Sequence, residues 1–243
     1  MLGPLEYISQ TLNNCGPASV AEVLDYWGIS RTQAQVQAVL RADGNSHGMA
    51  PFGVPAYTAS LGMNTLMGVG GSQQLVKSLV ANGFPVIVSQ WVSLTDHYGH
   101  YRPIEGYDDA KGVFIASDPY LGPNHQISYD EFGKIWNTNN RFMVIFPTAK
   151  QPLLLAVLAA NGWDKKAAYQ ADLAKLQNFR QPLGSALGAY AGGRGGYSQL
   201  SLAWDQMELG NVDAANAALD AAIQQGAKQP TTDWIRQAIK LSA

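Results

Sequence analysis

The sequence predicts an α+β fold followed by an all-α C-terminal extension. Three observations carry this: a helix-patterned stretch directly follows Cys15, four β-branched or aromatic runs lie between residues 84 and 147, and the composition shifts to Ala, Leu and Gln at helical spacing after Gln151. The break near Pro147 to Pro152 divides the chain into a first domain, 1–149, and a helical extension, 150–243.

The elements follow from periodicity and punctuation. Val20, Val23, Leu24 and Trp27 repeat at i, i+3, i+4, i+7, one face of a helix, and Gly28 is its stop signal. A second helix is expected over 31–41 with Ser30 as N-cap, then a Gly/Pro-rich loop over 43–55. A third spans 72–82, capped by Ser72, with Leu75, Val76, Leu79 and Val80 inward. The runs FPVIVSQW, HYRPIEGYD, GVFIASDPY and RFMVIFP, separated by Gly, Asp and Asn turns, read as strands of an antiparallel sheet, and the Cys-bearing helix should lie against the core. In the extension, AGGRGG at 191–196 marks a loop or hinge. Residues 197–228 read as helix, tight turn at Gly210-Asn211, helix, with alanines allowing close approach. That hairpin resembles a single tetratricopeptide-type unit, with DWIRQAIKL from Asp233 as a capping helix; a generic helical appendage packed on the first domain fits the pattern equally.

Composition narrows the function classes. A chain of 243 residues with 47% hydrophobic residues can bury a substantial core. Sixteen basic and 18 acidic residues leave a formal charge of −2, and no Lys/Arg cluster tracks a phosphate backbone, which argues against nucleic acid as a partner. Apolar runs such as 153–160 fall short of the ~20 residues that span a bilayer, so a soluble chain without a membrane span is expected. Met1-Leu2-Gly3-Pro4 fits a native start or one left after removal of an export signal, and the compartment stays open. One cysteine supplies neither an internal disulfide nor a Cys-rich metal site; no cofactor or metal is expected.

That cysteine, Cys15, stands at a helix start. A free thiol has a pKa of ~8.5 and only its thiolate is strongly nucleophilic, so activation needs positive potential, part of which a helix N-terminus supplies. Gly16 permits close approach and Pro17 suits the first turn. On this stretch alone a small buried hydrophobe and a nucleophile are equally good readings.

A base would tip the balance. His100 opens one strand run, and the turn at 108–112 leads into the next, so facing residues sum to about 219 to 220 and His100 lies opposite position 119 or 120. Asp118 is within two positions and reaches the imidazole if twist or a bulge brings both side chains to one face. A carboxylate there fixes the ring tautomer and leaves the other nitrogen for sulfur. Gln10, five residues before Cys15, can project an amide across the helix mouth, where an oxyanion would need a donor.

These residues carry a resemblance. YISQTLNNCGPASVAEVLDYWG, with Gln10, Cys15, Gly16 and Pro17, resembles the nucleophile segment of papain-like cysteine peptidases, in the branch similar to bacteriocin-processing, double-glycine leader peptidases, the C39-like domain. HYRPIEGYDDAKGVFIASDPYLG is similar to the branch's His strand, Gly-Tyr-Asp turn and Asp-Pro; SLVANGFPVIV and ISYDEFGKIWN extend the likeness over residues 5–146. The resemblance implies a papain-like fold, Cys15 as nucleophile, His100 as general base and acid, Asp118 as orienting residue and Gln10 as oxyanion donor. Asn14 stands where the branch commonly has an acidic residue, and the Gln10 to Cys15 spacing is one residue shorter than in many papain-like enzymes. Transporter-linked members carry membrane and ATPase modules not found in this sequence, so leader processing is not implied. The expectation is a stand-alone cysteine peptidase or amidase acting on a peptide or isopeptide bond, with Trp91, Tyr101 and Tyr120 lining its groove.

The alternatives use the same residues differently. An acyl transferase would pass the thioester to another acceptor. A catalytically silent binding or scaffold protein would keep the fold, and the helical tail offers a surface for a protein partner; four intact site residues argue against loss of turnover. Redox sensing lacks a resolving cysteine. Asp96 and His97 are adjacent in an extended run and point apart, His97 with His100 lacks a third metal ligand, His47 lies in a loop over one side of the cleft, and His125 is expected in solvent.

Overall fold

A computed structural model describes residues 2–3, 5–42, 48–136, 140–178 and 196–243; His47 and residues 191–195 of the glycine-rich run lie outside them. The first helix, α1 (Cys15–Tyr26), begins at the cysteine, and Gly28 closes the chain reversal beyond it at φ +80°. Next, α2 (Gln33–Leu40) starts at Thr32 rather than Ser30, because Thr32 and Gln35 form a reciprocal capping box that Ser30 is too far upstream to make. The expected loop over 43–55 contains more structure: a 3-10 turn, Pro51–Gly53, runs straight into α3 (Val54–Ala59). Its prolines sit in first-turn positions, where the missing N–H costs nothing.

Six strands form one antiparallel sheet: β1 (Met63–Gly68), β2 (Val86–Trp91), β3 (Gly99–Asp108), β4 (Val113–Asp118), β5 (Gly122–Ser128) and β6 (Phe142–Pro147), in the order β1-β6-β2-β3-β4-β5. Between them lie α4 (Gln73–Ala81), capped by Ser72 as expected, and α5 (Tyr129–Ile135), capped by Ser128. The inner strands are covered on both sides. Along β2, Val86 and Val88 join a core with Leu75, Leu79 and Phe132, while Ile87 between them joins the opposite core with Val20, Val23 and Leu24. Each fully buried side chain of this size contributes roughly 1.5–3 kcal/mol relative to exposure.

The sheet ends at Pro147, and helices follow: α6 (Gln151–Ala160), α7 (Lys165–Asn178), α8 (Gly196–Glu208), α9 (Val212–Gln224) and α10 (Thr231–Ser242). The α8/α9 hairpin turns at Gly210, φ +78°, and buries Ala215, Ala218 and Ala222. These helices share both cores. Leu154 and Leu158 of α6 join the α4 side; Trp204, Leu219 and Ile235 join the α1 side. The Trp204 ring lies 5.5 Å from Phe52, and Trp234 packs so tightly on Gly53 that a Cβ there would come within 2.3 Å of its ring. Tyr169 Oη donates to the Met67 carbonyl at 2.8 Å, and Arg141 Nη2 pairs with Asp172 at the same distance. No helix among the described residues is long and apolar enough to cross a membrane.

Candidate active site

Cys15 is the first residue of α1 and is 7% exposed. The side chain of its N-cap residue, Asn14, makes no capping hydrogen bond. Asn14 instead donates to Thr11 Oγ1 and to Gln37 Oε1 of α2 and accepts from Arg41, so its side chain is turned away from the first-turn N–H groups. Close packing fixes the next residue: a Cβ on Gly16 would lie 2.7 Å from Met49 Cε.

The hairpin of β3 and β4 brings the base and its carboxylate together. Near the turn, paired residues sum to 221, as in Asp108 with Val113; beyond a bulge between Ile104 and Gly106 they sum to 220, as in Ile104 with Ala116. That one-residue change reverses parity. At 221 Asp118 would share a face with residues 101 and 103; at 220 it shares one with His100 and Arg102. His100 Nε2 lies 2.8 Å from Asp118 Oδ1, and both are buried. This leaves Nδ1 as the ring nitrogen available to Cys15.

Asp118 is also held by Arg102, whose Nε is 3.1 Å from Oδ2, and accepts the backbone N–H groups of Tyr120 and Leu121 at 2.9 Å each. Arg102 in turn donates to the carbonyls of Trp91 and Val92. Burial alone would push the Asp118 carboxyl up, but the His100 hydrogen bond and charge, with Arg102 behind them, hold it well below the usual carboxylate range. Burial works against a charged imidazole too; Asp118 and then Cys15 overcome it and raise His100. For Cys15 burial opposes the thiolate, whereas the His100 hydrogen bond and charge, followed by the backbone at Tyr101 and Gly16, bring the thiol below its ordinary value. The three groups therefore favour thiolate, imidazolium and carboxylate together.

A cleft of about 310 Å³ opens over this group, lined by Gln10, Leu12, Cys15, Tyr98, His100 and Tyr120 among others. Gln10 is placed with the other three expected residues, its N–H donating to the Pro119 carbonyl at 2.9 Å beside Asp118. Of the three aromatic residues expected in the groove, Tyr120 lines it. Tyr101 is buried against Met49 under α1, because alternation along β3 turns it from His100, and Trp91 stacks on His97 with ring centres 3.8 Å apart. His125 is half-buried on β5 rather than fully in solvent, since its strand pairs with Ala116 of the central hairpin. Among the described residues no cluster of His, Cys, Asp and Glu could hold a metal ion.

Arg102 was legible but unread. An arginine two residues after His100 in the same strand lies on the same face, and a buried cation there needs a carboxylate. Ser19 and Glu22 were also overlooked. They follow Cys15 at i+4 and i+7, the spacing of one helix face; Ser19 Oγ donates to the Tyr101 carbonyl at 3.2 Å, and Glu22 Oε1 accepts the Ile8 N–H at 2.8 Å.

Comparison with known proteins agrees with this architecture. The peptidase domain of Streptococcus ComA, described as a bi-functional ABC transporter involved in a quorum-sensing pathway, is similar in fold at 20% identity and a TM-score of 0.50, over 59% of this chain and 99% of that one. A double glycine motif protease from an AMS/PCAT transporter, solved with a leader peptide, aligns at 19% identity and a TM-score of 0.46 over 59% of this chain and 92% of its own. Comparison with curated proteins gave no match. The Peptidase_C39 like family model matches residues 4–143, which carry the whole sheet up to β6 together with Cys15, His100 and Asp118, and the chain belongs to that family.

Proposed function

We propose that the protein is a cysteine peptidase or amidase that cleaves a peptide or isopeptide bond through a thioester on Cys15. The observation that carries this reading is the His100 Nε2 to Asp118 bond at 2.8 Å, which commits one ring nitrogen and leaves Nδ1 to the thiol at the floor of an open cleft. The Sγ proton passes to His100, and the thiolate attacks the substrate carbonyl carbon. Gln10 and the Cys15 N–H hold the resulting oxyanion, a contribution of about 10²–10³ in rate for one such donor. As the C–N bond breaks, His100 returns its proton to the leaving amine. Water, deprotonated by His100, then attacks the thioester and frees the acid and the thiol.

In this reading residues 1–149 form the catalytic unit, and the extension, 150–243, supports it through the shared cores. The pH profile of turnover is a bell. Its acid limb reports formation of the thiolate, displaced below the ordinary thiol range, and its alkaline limb reports loss of the His100 proton, displaced above the ordinary imidazole range. The test is digestion of a mixed peptide pool followed by mass spectrometry, with Cys15→Ala as control. New termini that appear with the native protein and not with the variant support the reading; identical product sets, or none, refute it.

A further inference from the structure

The mechanism leaves the buried carboxyl of Glu22 unused. Glu22 is fully buried on α1, two turns below Cys15 on the same helix face. The segment that carries Gln10, residues 5–11, has no regular secondary structure, so it needs anchors from elsewhere. Its backbone N–H groups supply them: Leu5 donates to Glu105 Oε2 at 2.9 Å, Ile8 to Glu22 Oε1 at 2.8 Å and Gln10 to the Pro119 carbonyl at 2.9 Å. Beyond Gln10, the Thr11 N–H and hydroxyl both donate to Gln33 of α2 at 2.8 Å. Glu22 holds the middle of this strap, two residues before Gln10, which lines the cleft.

We infer that Glu22 is a positioning residue, an acceptor built into α1 to fix the strap at Ile8 so that Gln10 stays over the mouth of the Cys15 helix. What Gln10 does there rests on the peptidase reading; where Gln10 is held does not. Burial, with Glu105 and Asp118 nearby, outweighs the Ile8 N–H and Ser117 and pushes the Glu22 carboxyl up to about 8, and Gln keeps an acceptor oxygen for the Ile8 N–H in either charge state. A leucine fills similar volume and cannot accept.

Two readouts test this in the full chain. Hydrogen exchange of the amides of residues 8–11 is expected to accelerate at least about tenfold in Glu22→Leu and to stay near native in Glu22→Gln. Turnover is expected to fall about 10–100-fold in Glu22→Leu, to hold within about threefold in Glu22→Gln, and to fall no further when Glu22→Leu is added to Gln10→Ala. Alkylation of Cys15 by iodoacetamide forms no oxyanion, so its rate is expected to be native in every variant. Should Glu22→Leu fail to fold, Ile8→Pro deletes the same hydrogen bond from the strap side and takes its place. Native exchange rates in the variant that lacks the bond, or losses that multiply in the double variant, overturn the inference. If the exchange result holds and no peptide is cleaved by the native protein, the strap stands and the peptidase reading fails.

Discussion

Two aspartates, both fully buried, titrate in opposite directions in this molecule, and the difference separates its site from its framework. Asp118 receives His100 and two backbone N–H groups at Oδ1, has the Arg102 guanidinium 3.1 Å from Oδ2 as an ion pair, and is held ionised. Asp205, on α8, has no hydrogen-bond donor at either oxygen among the described residues, and Arg141 is 3.8 Å from it. Burial pushes Asp205 up to about 8; Arg141 opposes this and the neighbouring Asp172 reinforces it. Burial is common to both. The partners around each carboxylate decide which stays charged, donors and cations at Asp118 against a second carboxylate beside Asp205, and the cluster with donors is the one that opens to a cleft.

This comparison can be broken by substitution. The largest effect is expected for His100→Ala, which removes the group that Asp118 is charged to support: turnover drops about 10³–10⁴-fold, equivalent to about 4–5.5 kcal/mol of barrier, and melting temperature falls as well, because the buried Asp118 loses its imidazole partner. Steady-state kinetics with thermal melts separate the two. Asp118→Asn comes next, because it leaves Arg102 buried without its anion; about 3 kcal/mol of stability is lost at pH 7 by denaturant titration. The sign with pH follows from linkage. Asp118 titrates lower in the folded chain than unfolded, so its contribution is present above the unfolded value near 3.9 and is lost as pH falls through the folded value. The gap between variant and native protein should therefore close in acid.

Gly53→Ala probes the join between the extension and the sheet domain without touching charge. A methyl group in the Trp234 ring forces α10 to move, at about 1–3 kcal/mol by thermal melt, with the Cys15 alkylation rate unchanged. The smallest expected effect is of opposite sign. Asp205 titrates higher folded than unfolded, so the native state holds a proton that the unfolded chain releases, and its contribution to stability is present below about pH 4 and lost as pH rises to about 8. Asp205→Asn should match the native melting temperature near pH 4 and exceed it increasingly towards pH 8, by about 0.5–2 kcal/mol. A destabilised Asp205→Asn at pH 8 would show that the two aspartates are held charged alike.

Much of this arrangement is legible in the chain. α1 and α4 carry clear apolar faces with stop or cap residues, and the inner strands β2, β3, β4 and β6 are rich in β-branched and aromatic residues because both their faces are buried. β1 (MNTLMG) and β5 (GPNHQIS) went unread for the converse reason: they are the two edges of the sheet, where alternation is weak and a proline is tolerated. Turn chemistry places His100 near Asp118, but only the bulge between Ile104 and Gly106 sets the parity that joins them; Pro103 and Gly106 are residue types found at bulges, yet neither fixes its position or the register it produces. Glu22 was hidden differently. Its i+7 spacing from Cys15 is visible, yet its partner, the Ile8 N–H, is a backbone group that only the folded strap brings within 2.8 Å.

The central claim, that Cys15 is an activated thiolate paired with His100, is tested most directly by the rate of Cys15 alkylation with iodoacetamide as a function of pH, in native protein and in His100→Ala. With one cysteine in the chain, the modified atom is unambiguous. The account predicts that native Cys15 reacts at pH 6 well above the rate of an ordinary thiol, whose pKa is about 8.5, and that His100→Ala moves the titration back to or above that range. A native profile that coincides with that of an ordinary thiol and does not change when His100 is removed would contradict it.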